Sequence, residues 1–113
     1  MHEFSIVQAL MEQCEQLAQE NSATQITKVV IKVGVMSGVE PELLKTAYDT
    51  FKEGSICDSA PLVMNIQNVI LQCNMCSQKS ELSKRFYRCN YCQSPDVDVL
   101  DGEDLYLMRL EMQ

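Results

Sequence analysis

Cys73-Asn74-Met75-Cys76 and Cys89-Asn90-Tyr91-Cys92 decide how the rest of this chain is read. Two residues between cysteines let one tight turn aim both sulfurs at the same ion. Two such turns on adjacent hairpins supply the tetrahedral thiolate set that zinc accepts without redox chemistry. Four thiolates on one dication leave no open position for water, so the site reads as structural and not catalytic. A rubredoxin-like iron carrier is the rival metal protein. Its turns usually place glycine just after the second cysteine, where this chain has Ser77 and Gln93. A redox dithiol fits less well, because such motifs open a helix and do not come in twos.

Segment 70–100 around these cysteines has too few large apolar residues for a core of its own, and a module that small needs a metal. The flanking sequence has clear periodicity. Phe4, Val7, Leu10, Met11, Cys14, Leu17 and Ala18 recur at helical spacing, which predicts an amphipathic helix over 4–20 that stops at Asn21-Ser22. Residues 26–35 alternate as a strand, with Thr27, Val29, Ile31, Val33 and Val35 on one face and Lys28 and Lys32 on the other. Pro41 suits the first turn of a second helix, with Glu40 and Glu42 near its positive end. Leu43, Leu44, Ala47, Tyr48 and Phe51 form its apolar stripe, and Gly54 ends it. Residues 62–72 read as one long strand or a pair. Val97 to Leu100 alternate weakly, and Asp101-Gly102 marks a turn. Leu105 to Met112 read as a last strand with Tyr106, Met108, Leu110 and Met112 on one face. The expected architecture is α+β: two helices packed on a small three-stranded sheet, with an inserted zinc ribbon-like domain. Residues 1–69 plus 101–113 form the first domain, and 70–100 the second.

Length and charge bound the function. The chain has 113 residues, 16 acidic and 9 basic, for a net charge of −7. That suits one domain or one and a half, and it opposes broad binding to nucleic acid or anionic membrane. No apolar run approaches a membrane span. The start Met1-His2-Glu3 lacks the basic and apolar regions of a secretory signal. The protein is therefore expected in the cytoplasm, where paired cysteines are metal ligands more often than disulfides. Cys14 lies on the helix stripe as a packed thiol, and Cys57 reads as a partly buried loop thiol. The seven methionines are scattered filler. Lys79, Lys84, Arg85 and Arg88 stand against Glu81 alone in the loop between the cysteine pairs. They read as an ordinary solvated hairpin or as a docking patch for an acidic partner.

His2 is the single histidine. The α-amine of Met1, the amide and imidazole of His2, and the amide or carboxylate of Glu3 offer a divalent ion a nitrogen-rich, near-planar set. That set suits nickel(II) or copper(II) and suits zinc poorly. The plain alternative is a solvated side chain. Nothing looks catalytic: there is no open zinc site, no second histidine, no nucleophile with a base and no phosphate loop.

Four segments together resemble the HypA/HybF family of nickel metallochaperones. They are Met1-His2-Glu3-Phe4-Ser5, the run Val33-Gly34-Val35-Met36-Ser37-Gly38-Val39-Glu40-Pro41-Glu42-Leu43, the Cys73/Cys76 and Cys89/Cys92 pairs, and the ending Gly102 to Met112. The resemblance spans nearly the whole chain in order. It implies a nickel-binding domain of two helices on a three-stranded sheet, with a zinc domain inserted before the last strand. It also implies delivery of Ni(II) to the [NiFe]-hydrogenase large-subunit precursor together with the GTPase HypB. In some bacteria urease and its accessory proteins are further partners. By this match His2 is the essential nickel ligand, helped by the Met1 amine and Glu3. Cys73, Cys76, Cys89 and Cys92 hold zinc. Family members often carry histidines beside the cysteine motifs; this chain has none, so a histidine switch there is not available. Glu40 is a candidate further nickel ligand, beside its simpler role at a helix start. The alternative function is a zinc-ribbon module for protein or nucleic-acid interaction. Monomer and homodimer both stay open.

Overall fold

A run of β-branched residues makes Ile26–Gly34 (β1) the strand around which the first sheet forms. Ile26, Val29 and Ile31 are fully buried, and Val30, on the opposite face from Val29 and Ile31, is nearly so. The computed structural model describes residues 3–83 and 87–113. The remaining elements are α1 (Glu3–Glu20), α2 (Pro41–Phe51), β2 (Leu62–Gln67), β3 (Val69–Cys73), β4 (Lys79–Leu82), β5 (Val97–Asp101) and β6 (Leu105–Met112). They form two three-stranded sheets, in the orders β2-β1-β6 and β4-β3-β5. The fold is the expected α+β arrangement, with a second sheet that the sequence did not announce. The chain divides into two compact units: residues 1–32, 39–65 and 106–113, and residues 33–38 and 66–105. Among the described residues, no helix is long and apolar enough to cross a membrane.

Backbone hydrogen bonds set the strand directions. Val29 N–H donates to Pro61 O and Val35 N–H to Gln67 O, a constant offset that makes β1 and β2 parallel. A parallel pair needs a crossover connection, and α2 lies in it. Gln25 and Gln113 exchange both of their backbone hydrogen bonds, and Gly34 N–H donates to Asp104 O, so β6 runs antiparallel to β1.

In the first unit α1 packs against α2. Val7, Leu10, Cys14 and Ala18 meet Leu44, Ala47 and Tyr48 in the core. The Tyr48 hydroxyl is fully enclosed and donates to Ala60 O at 2.8 Å. Cys57 departs from its expected half-burial. The turns after α2 fold it completely inside. There it shares a hydrogen bond with Cys14 that pushes Cys14 up and Cys57 down. Three residues assigned to apolar stripes are exposed: Phe4 at 58%, Leu43 at 52% and Phe51 at 40%. They stand at the margins of stripes whose centres alone reach the core. Phe4 and Phe51 instead cover each other, with ring centroids 5.6 Å apart.

The last strand also departs from its expected face. Tyr106 and Met108 are exposed, whereas Leu110 and Met112 are half-buried. The alternation inverts between Met108 and Arg109, which are both exposed, as it does at a β-bulge. The partners agree: Lys32 lies over the Tyr106 ring and Lys28 reaches Glu111, so Tyr106 and Glu111 share a face despite their odd separation.

In the second unit β3 is central. It pairs antiparallel with β4 (Leu71↔Ser80, Gln72↔Lys79) and with β5 (Leu71↔Val99, Cys73↔Val97). Val69 and Leu71 are fully buried. Two glycines let backbones meet here. A Cβ on Gly34 would fall 2.3 Å from Gly102 O, and Gly102, at φ +102°, has Val69 Cα only 2.5 Å from where its own Cβ would be.

Candidate metal centres

The two cysteine turns are built alike. Cys73 N–H donates to Gln78 O and Cys89 N–H to Ser94 O. Ser77 N–H returns to Cys73 O and Gln93 N–H to Cys89 O. The Cys73 sulfur accepts from Met75 N–H at 3.3 Å and Cys76 N–H at 3.4 Å. The Cys89 sulfur accepts from Tyr91 N–H at 3.3 Å and Cys92 N–H at 3.5 Å. Ser77 and Gln93 adopt φ of 65° and 64°. The turn thus takes its left-handed residue at the positions where a rubredoxin-type turn has glycine. Neither side chain is glycine, so the hydrogen bonds of the turn hold a conformation that costs about 1–2 kcal/mol per residue.

The turns bring all four sulfurs within 4.8 Å of one another. Cys73 and Cys92 approach to 3.6 Å, and Cys76 and Cys89 to 3.4 Å. Hydrogen bonds to sulfur divide the four thiols into two kinds. The Cys92 N–H, with Tyr91 N–H, holds Cys89 down at about 6. The Cys76 N–H, with Met75 N–H, lowers Cys73. Cys76 is pushed up to about 12: the Gln78 N–H lowers it, but burial and the neighbouring sulfurs outweigh that bond. Cys92 is raised too, the Ser94 N–H being outweighed by Cys73 and burial. The turn N–H groups thus favour the thiolate at Cys89 and Cys73, while Cys76 and Cys92 hold their protons more tightly until a dication binds. Four converging thiolates at this spacing fit tetrahedral zinc and leave no room for a fifth, reactive ligand.

Groups outside the four ligands brace the turns. Ser80, 4% exposed on β4, accepts Asn90 N–H on Oγ at 3.0 Å. Asn74 Nδ2 donates to Asp96 Oδ1 at 3.0 Å, and Asn74 N–H donates to Asp96 O. Gln72 Nε2 donates to Ser77 O at 2.7 Å and so steadies the left-handed residue. Ser80, Asp96 and Gln72 were not picked out by sequence reasoning; their signal is pairing across the fold, not spacing. Of the basic loop, Lys79 and Arg88 are exposed, and Lys84 and Arg85 lie outside the described residues.

Of the amino-terminal set, Met1 and His2 lie outside the described residues. Glu3 is the first residue of α1 and is 8% exposed. Its Oε2 accepts Glu40 N–H at 3.4 Å. Glu40 precedes α2 and makes no side-chain cap of its own. The carboxylate of one helix start therefore serves the start of the other, where a negative charge meets free N–H groups. The Glu40 side chain is exposed.

A family model described as "Hydrogenase/urease nickel incorporation, metallochaperone, hypA" matches residues 1–112. Proteins named hydrogenase maturation factor HypA are similar along their whole length. One from Shewanella baltica (strain OS195) is 58% identical, over 100% of this chain and 97% of its own. The one from Aquifex aeolicus is 43% identical, over 100% and 98%. A solution structure of the Ni metallochaperone HypA from Helicobacter pylori superposes with a TM-score of 0.72 at 35% identity, covering 99% of this chain and 97% of that one. Another solution structure of a HypA protein gives a TM-score of 0.76 at 34% identity, covering 100% and 97%.

Proposed function

Since the chain belongs to the HypA family of metallochaperones for hydrogenase/urease nickel incorporation, and is not an enzyme, we propose that it takes up Ni(II) at its amino terminus and delivers it for [NiFe]-hydrogenase maturation. Zn(II) on Cys73, Cys76, Cys89 and Cys92 keeps the second metal site folded. The nickel set is the Met1 amine, the His2 amide and imidazole, and Glu3. One observation carries this reading: the nickel-incorporation family model matches residues 1–112, a span that takes in Met1, His2 and Glu3. The first N–H groups of a helix have no intrahelical acceptor. Glu3 lies in the first turn of α1, so its N–H has no acceptor within the helix. The Glu3 carboxylate accepts Glu40 N–H through one oxygen and keeps further lone pairs, so Glu3 offers nickel its amide or its carboxylate.

A carrier must collect its cargo and release it. A terminal site exchanges ligands one bond at a time with a docked partner. Both the amine (unperturbed pKa ~7.7–8.0) and the imidazole (~6.5) must lose protons to bind, so affinity falls with acid. Copper(II) outranks nickel(II) for such ligands, so selectivity rests on supply and on the partner. The partners are a HypB-like GTPase and the hydrogenase large-subunit precursor, in the cytoplasm, with urease accessory proteins where urease is the recipient. Residues 1–69 plus 101–113 carry nickel, and residues 70–100 hold zinc. The test is a calorimetric nickel titration of the wild type and His2→Ala. The variant loses tight nickel binding and keeps one zinc per chain. A variant that binds nickel as the wild type does overturns the proposal.

A further inference from the structure

In the first unit every basic side chain has a partner. Lys28 and Arg109 reach Glu111, and Lys45 and Lys52 reach Asp49. Lys32 lies over the Tyr106 ring. The second unit differs. Lys79 and Arg88 are exposed there and, among the described residues, neither forms an ion pair. Carboxylates of the same unit take neutral donors instead. Glu81 Oε2 accepts Asn68 Nδ2 at 3.4 Å, Asp96 Oδ1 accepts Asn74 Nδ2 at 3.0 Å, and Glu103 Oε2 accepts the Tyr87 hydroxyl at 3.0 Å. With 16 acidic residues against 9 basic, a cation left without a carboxylate is the exception, and these two border the cysteine turns.

The turns themselves end in apolar tips. Met75 is 70% exposed and Tyr91 67%, the highest values among the large hydrophobic side chains described. They hold equivalent positions, two residues after Cys73 and Cys89. Each backbone N–H donates to that cysteine's sulfur at 3.3 Å, and the four sulfurs lie within 4.8 Å of one another. Both tips therefore stand on one small cluster. The bond from Asn90 N–H to Ser80 Oγ, 3.0 Å long, ties the turn that follows Arg88 to the residue after Lys79. Two unpaired cations and two bare apolar side chains are thus gathered around the cysteines. A single exposed apolar residue needs no explanation, but Tyr, Met and Arg together are the side chains enriched where proteins meet.

We propose that the tips of the two cysteine turns form a docking surface for an acidic segment of another protein, one that carries a large apolar side chain beside its carboxylates. Met75 and Tyr91 take the apolar side chain, and Lys79 and Arg88 take the carboxylates. Charge decides the class of partner. Nucleic acid needs a run of cations to release its counterions, and a chain of net charge −7 repels the remaining phosphates. A short acidic segment meets only the local field, since exposed charges beyond ~10 Å are screened at 0.1 M salt. The surface uses none of the nickel ligands, so carrying cargo and docking are separate tasks of one small chain. It rests on the zinc reading in one respect: metal holds the turns that carry the tips.

Selection of a displayed library of short random peptides against the zinc-loaded full-length chain tests this. Metal analysis of the wild type comes first, so that a failure of the zinc reading is seen apart from a failure of docking. Selected peptides are expected to combine Asp or Glu with Leu, Met or Phe. Fluorescence anisotropy of the best labelled peptide gives its affinity. Lys79→Glu together with Arg88→Glu weakens binding at least about tenfold, and Met75→Ser together with Tyr91→Ser does the same. Raising salt from about 0.1 to 1 M weakens wild-type binding, as screening shortens from ~10 to ~3 Å. Both double variants keep one zinc per chain and the wild-type far-ultraviolet circular dichroism. A labelled single-stranded RNA is expected not to bind at physiological salt. A selection that yields no acidic peptide overturns the proposal, as does an affinity unchanged in either double variant. So does RNA that binds more tightly than the best peptide. Loss of zinc from the charge-reversed variant would assign the two cations to the thiolate centre and overturns it too.

Discussion

Replacing Ser80 with alanine tests how far the cysteine turns depend on the sheet beneath them. Ser80 is 4% exposed and its Oγ accepts Asn90 N–H at 3.0 Å. Asn90 follows Cys89, whose sulfur receives the next two N–H groups. The hydroxyl therefore fixes the residue between a ligand and its hydrogen-bond donors. Alanine removes one oxygen and little volume. A net hydrogen bond is worth about 1 kcal/mol, and a donor left dry costs about 1–3 kcal/mol. Asn90 is exposed, so water reaches the freed N–H and the lower figure applies. About 1 kcal/mol corresponds to roughly a fivefold loss of zinc affinity. That is less than the 10–100-fold typical of groups bonded directly to a ligand. Competition for zinc with a chromogenic chelator measures it, with Ser59→Ala, exposed in the other unit, as the control. Affinity within twofold of the wild type would refute the bracing role. A loss beyond about a hundredfold would refute the solvation argument.

Tyr48→Phe strands the Ala60 carbonyl in the core, and denaturant unfolding should register a loss of about 1–3 kcal/mol. Gly34→Ala drives a Cβ to 2.3 Å from Gly102 O, backbone against backbone. Thermal melts should show a loss of at least about 3 kcal/mol or no folded protein. Zinc uptake at neutral pH should release fewer than four protons per ion, because Cys89, at about 6, already favours thiolate. Calorimetry in buffers of different ionisation enthalpy counts them. The sign follows from the lowered thiols. The thiolate contribution is complete above the unfolded value and disappears as pH falls through about 6, so zinc affinity falls with acid.

Local periodicity made much of this fold legible. The stripe from Phe4 to Ala18 and the alternation after Ile26 place α1 and β1 almost to the residue, because both signals lie in consecutive positions. What was missed depends on partners distant in sequence. β4 is Lys79-Ser80-Glu81-Leu82, too short and polar to read as a strand, and it exists because β3 supplies its hydrogen bonds. The turn residues Ser77 and Gln93 are left-handed without being glycine, since their conformation is held by bonds to Cys73, Gln72 and Cys89. The face of β6 was mis-sorted because one inversion of the alternation moves every later side chain across the sheet. The Glu3–Glu40 contact joins two helix starts, which no periodicity relates. The four cysteines were legible for the opposite reason: two residues of spacing already fix the geometry of each pair.

The most direct measurement is a nickel titration of the chain with its own amino terminus, beside the same chain extended by a few residues before Met1. The readouts are heat and the absorption bands of planar nickel. Tight, planar binding is predicted for the first and its loss for the second, with zinc unchanged at one per chain. Equal binding by both would place the nickel ligands elsewhere and contradict the assignment of Met1, His2 and Glu3.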